Sequence, residues 1–292
     1  MLENLLDAMR QRPDDFKVIE RIPFTSEKQF PIELDCPAGD EITLVVVDVE
    51  TTGFDVETCG VTQLGLTKVA YSPSLGRLTS IVKSDSWLNN PGHPIPEFIT
   101  QLTGITDADV ADKRVTGEDI ADYLDGDPVL IAHNAGFDRK FCEKHLPFPN
   151  DLRWGCSATE INWKKQGFES FKLEYLAYKI GYFYSGHRAD IDTLAVSWLF
   201  FKLPTVIDEL LKKVAERTVI IRAMNTPFER KDDVKSFGFK WDDGSGSHQK
   251  HWHFTAPESE LAKVMSFLDG VYPNGKNQAF VELVTSRERF KI

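Results

Sequence analysis

The run Leu44-Val-Val-Val47, followed at once by Asp48-Val-Glu50, constrains this chain more than any other stretch. Four successive apolar residues fit a strand covered on both faces. Side chains alternate along a strand, so Asp48 and Glu50 point to the same side. Two carboxylates beside a core strand are costly, because desolvation and mutual repulsion both oppose ionisation. At about 4 Å they repel by roughly 4 kcal/mol at an effective dielectric of 20. A divalent cation between them removes that cost. The pair also fits a strand end that simply reaches solvent, and Thr51-Thr52-Gly53 supplies residues for such a turn. Other positions must decide.

Composition narrows the classes. The chain has 292 residues and a net charge of −11, with 41% hydrophobic and 27% charged residues, as in a globular protein of one large or two modest domains. An acidic balance disfavours a broad basic surface that grips duplex nucleic acid. It leaves room for an enzyme that brings in its positive charge as metal. No apolar run approaches the roughly 20 residues of a membrane helix, so no membrane association is expected. The acidic, amphipathic start Met1-Leu-Glu-Asn-Leu-Leu-Asp7 is unlike a secretory signal. Cys36, Cys59, Cys142 and Cys156 lack C-x-x-C or zinc-ligand spacing, which predicts reduced, mostly buried thiols and a cytoplasmic setting.

The pattern divides the chain into an N-terminal extension (1–40), an α/β domain (41–204), a linker helix (205–217) and a small α/β C-terminal module (218–292). In the α/β domain, strands over Val61–Ala70 and Arg77–Lys83 follow the opening strand, joined by Ser72-Pro-Ser-Leu-Gly76. Gln63-Leu-Gly-Leu66 reads as buried strand rather than as a clamp-binding peptide. Pro96 suits the first turn of a helix that Gly104 closes. Helices are predicted after Asp107 and Gly117, over Phe171–Ile180 and over His187–Phe200, with a buried strand over Pro128–Ala132. The C-terminal module carries eleven Lys and Arg against ten Asp and Glu, so the net negative charge of the chain lies upstream.

Three further positions join the pair. Asp138 falls at the start of a helix just after a buried strand, where open sheets present ligands, although a helix-capping Asp would sit there too. Asp192 lies in the first turns of the last large helix, and His187 just before or at its start. Five residues apart on one helix they would face different sides. They serve one site if His187 is in the loop and Asp192 faces the sheet. Asp190 reads as a solvated first-turn acid that favours the helix dipole. Four carboxylates and one His suit two-metal phosphodiester hydrolysis, in which hard cations about 3.5–4 Å apart stabilise the attacking and leaving oxygens. Oxygen ligands favour Mg²⁺ or Mn²⁺ over zinc, and a neutral imidazole can take the proton of the attacking water.

Asp48-Val-Glu50-Thr-Thr-Gly53, Leu102-Thr-Gly-Ile-Thr106, His133-Asn-Ala-Gly-Phe-Asp138 and His187-Arg-Ala-Asp-Ile-Asp192 resemble the motifs of the DEDDh 3′–5′ exonucleases. That family includes the proofreading epsilon subunits of bacterial DNA polymerase III. Trp154-Gly-Cys-Ser157 and Lys172-Leu-Glu-Tyr-Leu-Ala177 also look like family segments. The resemblance covers about 41–203 and implies a ribonuclease-H-like fold, a mixed sheet flanked by helices. It implies that Asp48 bridges two Mg²⁺ or Mn²⁺ ions, that Glu50 and Asp192 complete the tighter site, that Asp138 holds the second ion, and that His187 is the base. Thr51, Gly53, Phe54, Leu102, Thr103, Asn134 and Phe137 would line the pocket for the terminal nucleotide. The epsilon-like pattern often has His where Thr103 stands. The implied substrate is a single-stranded nucleic-acid 3′ end, DNA ahead of RNA, in proofreading or repair, with a polymerase as a possible partner. The alternatives are an RNA-trimming exonuclease and a polymerase-accessory nucleic-acid-binding protein.

In the C-terminal module, Gly238-Phe-Lys-Trp-Asp242 and Lys250-His-Trp-His-Phe254 place Trp241 and Trp252 on neighbouring strands among Lys240, Lys250, His251 and His253. Such a hairpin fits either a nucleic-acid platform or a Trp pair that packs on two helices. His251 and His253 share a face, with no further metal ligands at a diagnostic spacing.

Overall fold

A computed structural model describes residues 2–24, 29–244 and 249–291. The chain forms two compact units, Met1–Lys213 with Phe290–Ile292, and Val214–Arg289.

The first unit contains strands β1 (Glu20–Arg21), β2 (Ile32–Glu33), β3 (Ile42–Thr51), β4 (Val61–Ser72), β5 (Arg77–Leu88), β6 (Val129–Ala132), β7 (Arg153–Cys156) and β8 (Tyr182–Phe183). Its helices are α1 (Leu2–Gln11), α2 (Glu97–Thr103), α3 (Asp107–Val110), α4 (Gly117–Leu124), α5 (Ala135–His145), α6 (Leu173–Lys179), α7 (Ala189–Lys202) and most of α8 (Pro204–Ala215). Six strands form a mixed sheet in the order β2-β5-β4-β3-β6-β7. The meander β3-β4-β5 is antiparallel, whereas β6 and β7 run parallel to β3. This is the ribonuclease-H-like exonuclease fold. Leu44 to Val47 are buried in β3, and Leu130, Phe141 and Trp154 extend the core around them.

Residues before 40 take part in this unit. Strand β2 pairs with β5, and β1 pairs in parallel with β8. Ile22 and Phe24 are buried, and the Phe24 ring meets Trp198 edge-on at 4.9 Å. Scattered apolar residues of this kind carry no period from which burial could be read.

Helix α7 lies against β3, β4 and β5, and its first turn presses on the sheet at Gly65. A Cβ at Gly65 would stand 2.3 Å from the carbonyl carbon and oxygen of Ala189. Only glycine permits that approach. Buried Gln63, two residues earlier, accepts the Ala189 N–H at 3.2 Å and aims its amide nitrogen at Asp190, 3.5 Å away. Asp190 is therefore not the solvated acid that its helix position suggests. It is 5% exposed because the first turn of α7 faces the sheet and not water.

The second unit runs β9 (Thr218–Ala223), α9 (Lys231–Phe237), β10 (Lys240–Asp242), β11 (His251–Pro257), α10 (Leu261–Val271) and β12 (Ala279–Val284). The antiparallel order β10-β11-β9-β12 is the split βαβ arrangement of ferredoxin-like folds. Val219, Ile221 and Ala223 of β9 form its core with Val234, Val264 and Leu268 of the helices. Trp241 and Trp252 are register partners with rings 5.4 Å apart. Trp252 stands opposite Ala223 and packs with that core, while Trp241 is half-exposed on the edge strand. The tryptophans thus hold the hairpin on the helix side of the sheet.

Candidate active site

The pairing of β3 with β6 ends at Val47↔Ala132, so from Asp48 onward β3 has no parallel neighbour. After Ala132 the chain passes through His133 and Asn134 into α5, and Asp138 in its first turn fills the gap. Asp138 Oδ1 accepts the Val49 N–H at 3.2 Å, a ladder donor that β6 leaves open. Asp138 is thereby fixed beside the Asp48/Glu50 pair and is 4% exposed. From the other side α7 brings in Asp192, whose Oδ2 accepts the Arg188 N–H at 3.0 Å. Asp48, Glu50 and Asp192 each offer a carboxylate oxygen, and these atoms lie within 4.8 Å of one another.

Electrostatics identify the cluster as cation-seeking. Burial first, then the charges of Asp192, Asp138 and Glu50, push the Asp48 carboxyl well above the carboxylate range. Burial likewise pushes Glu50 up to about 8, Asp138 to about 7 and Asp192 to about 6. Hard oxygen donors that cannot all ionise together fit Mg²⁺ or Mn²⁺. The same donor set disfavours a zinc site.

His187 is exposed and lies in the loop before α7, with the left-handed φ of 65° that few non-glycine residues adopt. It lines a cavity of about 490 Å³ together with Asp192, Asn134, Tyr184 and Glu174. Its charge is felt by Asp192. Tyr184 was not marked by any motif. It hydrogen-bonds Asp192, and burial holds its phenol far above the usual range, so the hydroxyl stays a donor to that carboxylate. His133 was also missed as a positioning residue. Its Nε2–H donates to the Phe171 carbonyl at 2.6 Å, leaving Nδ1 to accept the Ser157 hydroxyl at 2.9 Å. It thereby ties the end of β6 to the segment that forms one wall of the cavity.

A second cavity, of about 360 Å³, is lined by Phe54, Phe137, Lys140 and again Asn134. Phe54 is 89% exposed and meets the Phe137 ring at 6.2 Å. Leu102 is also exposed, as is Phe98 one turn earlier on α2. Thr51 and Gly53 form the turn between, with the Thr51 hydroxyl donating to the Gly53 carbonyl at 2.7 Å. Thr103 departs from the pocket expected of it. It is 4% exposed, and its hydroxyl donates to Ile99 O and accepts from Ile105 N. That hydroxyl is spent on closing α2 ahead of Gly104.

Residues 45–200, more than half the chain, match the RNase T exonuclease family. The chain belongs to that family. Among its relatives, the DNA polymerase III subunit epsilon of Aquifex aeolicus is 30% identical over 168 residues, 55% of this chain and 80% of that protein. A PolC-type DNA polymerase III of Streptococcus pyogenes is 32% identical over 126 residues, which is 42% of this chain but 8% of that one. Among solved structures, Exonuclease X in complex with 5′ overhanging duplex DNA aligns with a TM-score of 0.42 and 23% identity over 56% of this chain and 91% of that chain. As a member of this exonuclease family, the protein is an enzyme. No helix among its described residues is long and apolar enough to cross a membrane.

Gly65 offers a test of how the site is positioned. Gly65→Ala is expected to destabilise the first unit by about 1–3 kcal/mol, because the backbone of Ala189 must move. Displacing Asp192 by roughly 1 Å should also lower kcat about 10²-fold. Thermal melting and single-turnover kinetics of the variant check both; an unchanged kcat would mean α7 does not position Asp192.

Proposed function

We propose that this protein is a 3′–5′ exonuclease that removes 5′-mononucleotides from single-stranded 3′ ends, with DNA ahead of RNA as substrate. The observation that carries the proposal is the convergence of Asp48, Glu50 and Asp192 beside Asp138, with Asp192 also lining a cavity together with His187. Two Mg²⁺ or Mn²⁺ ions, held by these four carboxylates, would supply Lewis-acid stabilisation of the attacking and leaving oxygens. The protein's own groups supply the rest. His187 takes a proton from the attacking water on a ring nitrogen, and its open loop position lets it reach a scissile phosphate bound over the carboxylates. Tyr184 holds Asp192 in one orientation by donating to it. Phe54, Leu102 and Phe137 give the last base apolar surface that accepts any sequence, and Asn134 joins the two cavities. A role in proofreading or repair beside a polymerase, in the cytoplasm, fits this chemistry. The name of the Aquifex relative supports that reading, as do four cysteines free of disulfides, although Cys36 is exposed and Cys59 half-buried.

With single-stranded DNA, Mg²⁺ and 3′ label, the expected product is labelled mononucleotide at the earliest time points; label lost only after internal cuts would reject the direction. DNA and RNA strands of one sequence, compared by kcat/KM, decide the substrate. His187→Ala is expected to cost about 10²–10⁴-fold in kcat with little change in KM. A rate equal to wild type would remove His187 from the chemistry.

A further inference from the structure

The second unit carries a feature that the exonuclease chemistry does not use. Its two helices cover one face of the β10-β11-β9-β12 sheet, through Val234, Val264 and Leu268. On the opposite face, Lys240, His253, Arg222 and Phe280 stand in one row. Lys240 is the register partner of His253, His253 of Arg222, and Arg222 of Phe280. Directly opposed residues share a face, so one row crosses all four strands with a cation, an imidazole, a guanidinium and a phenyl ring. Phe280 is 59% exposed, and the Arg222 guanidinium lies 5.7 Å from its ring centroid. Arg222 also pairs with Glu282 at 2.7 Å, a partly exposed contact that a phosphate can replace.

Flat rings alternating with cations along a straight line match a strand whose bases and phosphates alternate. A protein partner of comparable area would call for a contiguous apolar patch, and this row has a single large apolar side chain. The charge of residues 218–292 agrees, with eleven Lys and Arg against ten Asp and Glu in a chain whose net charge is −11. An open face of the same topology takes single strands in RNA-recognition modules, though there the rings stand on the two central strands. Here the ring is on edge strand β12, and the central strands carry His253 and Arg222.

We propose that this open sheet face binds single-stranded nucleic acid, with bases stacked on Phe280 and His253 and phosphates held by Arg222 and Lys240. The face is a second binding surface in its own right, and its existence does not depend on the direction or substrate of the exonuclease.

The test uses the full chain carrying Asp48→Asn, so that probe strands survive. Fluorescence anisotropy is measured with labelled dT30 and U30, in that parent chain and with Phe280→Ala, Phe280→Tyr and the pair Arg222→Ala/Lys240→Ala added. Phe280→Ala is expected to weaken binding about 10-fold, and Phe280→Tyr to preserve it. The double cation variant should lose more and show a shallower salt dependence. The dT30 and U30 arms report which sugar the face prefers. In the catalytically intact chain, Phe280→Ala should leave hydrolysis of the p-nitrophenyl ester of thymidine 5′-monophosphate unchanged, since that substrate is a single nucleotide with no strand to lay along the sheet. Affinities for both strands unaltered by Phe280→Ala and by the double variant would overturn the proposal while leaving the nuclease reading intact. Loss of ester hydrolysis with Phe280→Ala would also overturn the proposal, because Phe280 would then act through the nuclease site, whereas a wild-type chain that does not cleave the ester would count against the nuclease reading alone.

Discussion

Asp48→Asn is expected to lower the rate of 3′-nucleotide release at least about 10³-fold, and at the same time to raise the melting temperature of the metal-free protein at pH 8. The two effects have one cause. Asp48 is the carboxylate most hemmed in by others, with Asp192, Asp138 and Glu50 all opposing its ionisation inside a buried site. Replacing the carboxyl by an amide removes the cost of burying an acid among three others, and at the same time removes a carboxylate proposed to hold the cations. Loss of charge stabilisation at a single preorganised position costs about 10²–10³ in other enzymes; under the proposed mechanism this one substitution would weaken the hold on both ions. Kinetics on 3′-labelled DNA and melting in a chelator check the two halves. A variant that loses activity and also stability would show that Asp48 holds the fold rather than the ions.

The second large effect is a dependence of stability on pH that divalent ions reverse. Glu50 and Asp138 have folded pKa values pushed up to about 8 and about 7, with burial as the first cause in each. The unfolded chain releases these protons near the ordinary carboxylate values of about 4. Between about pH 4 and 8 the metal-free folded protein therefore holds protons that the unfolded chain has lost, and its stability falls as pH rises. At about 1.4 kcal/mol per pKa unit the two shifts together correspond to several kcal/mol, enough to lower the melting temperature of a unit of this size by about 10 °C or more. Adding Mg²⁺ or Mn²⁺ at pH 8 should restore it, because ions bind only the folded arrangement. At pH 5, where the acids are still protonated, the same ions should do little. A melting temperature that is flat from pH 5 to 8 in chelator, or insensitive to Mn²⁺ at pH 8, would contradict the picture of a strained acidic cluster.

Much of the site is legible in the sequence because its parts are short and local. A buried strand that ends in Asp-x-Glu fixes the direction of two carboxylates through the period of two alone. A strand that runs into Asn134 and a helix fixes Asp138 nearly as well. His187 and Asp192 required more, since their spacing of five suits one site only when the helix begins after His187, and it begins at Ala189. The misreadings share a physical origin in tertiary packing. Asp190 occupies a helix position that normally meets water, and the missing side chain of Gly65, more than a hundred residues away, decides otherwise. Thr103 sits inside a motif whose neighbours face the cleft, but its hydroxyl is drawn inward by the carbonyl of Ile99. Tyr184 belongs to no pattern and acts only through Asp192. In the second unit, alternation shows that Trp252 and His253 face opposite ways, but not which face the helices cover. The register of β9 with β11 and β12 settles that, and it moves the chemistry from the tryptophans to the row through Arg222.

The most direct measurement of the central claim is product release from a 3′-end-labelled single strand, first in chelator and then with Mg²⁺ or Mn²⁺ added back. The account predicts no turnover in chelator, and 5′-mononucleotides appearing on add-back with more than first-order dependence on ion concentration. Turnover that persists in chelator, or no mononucleotide with either ion, would contradict it.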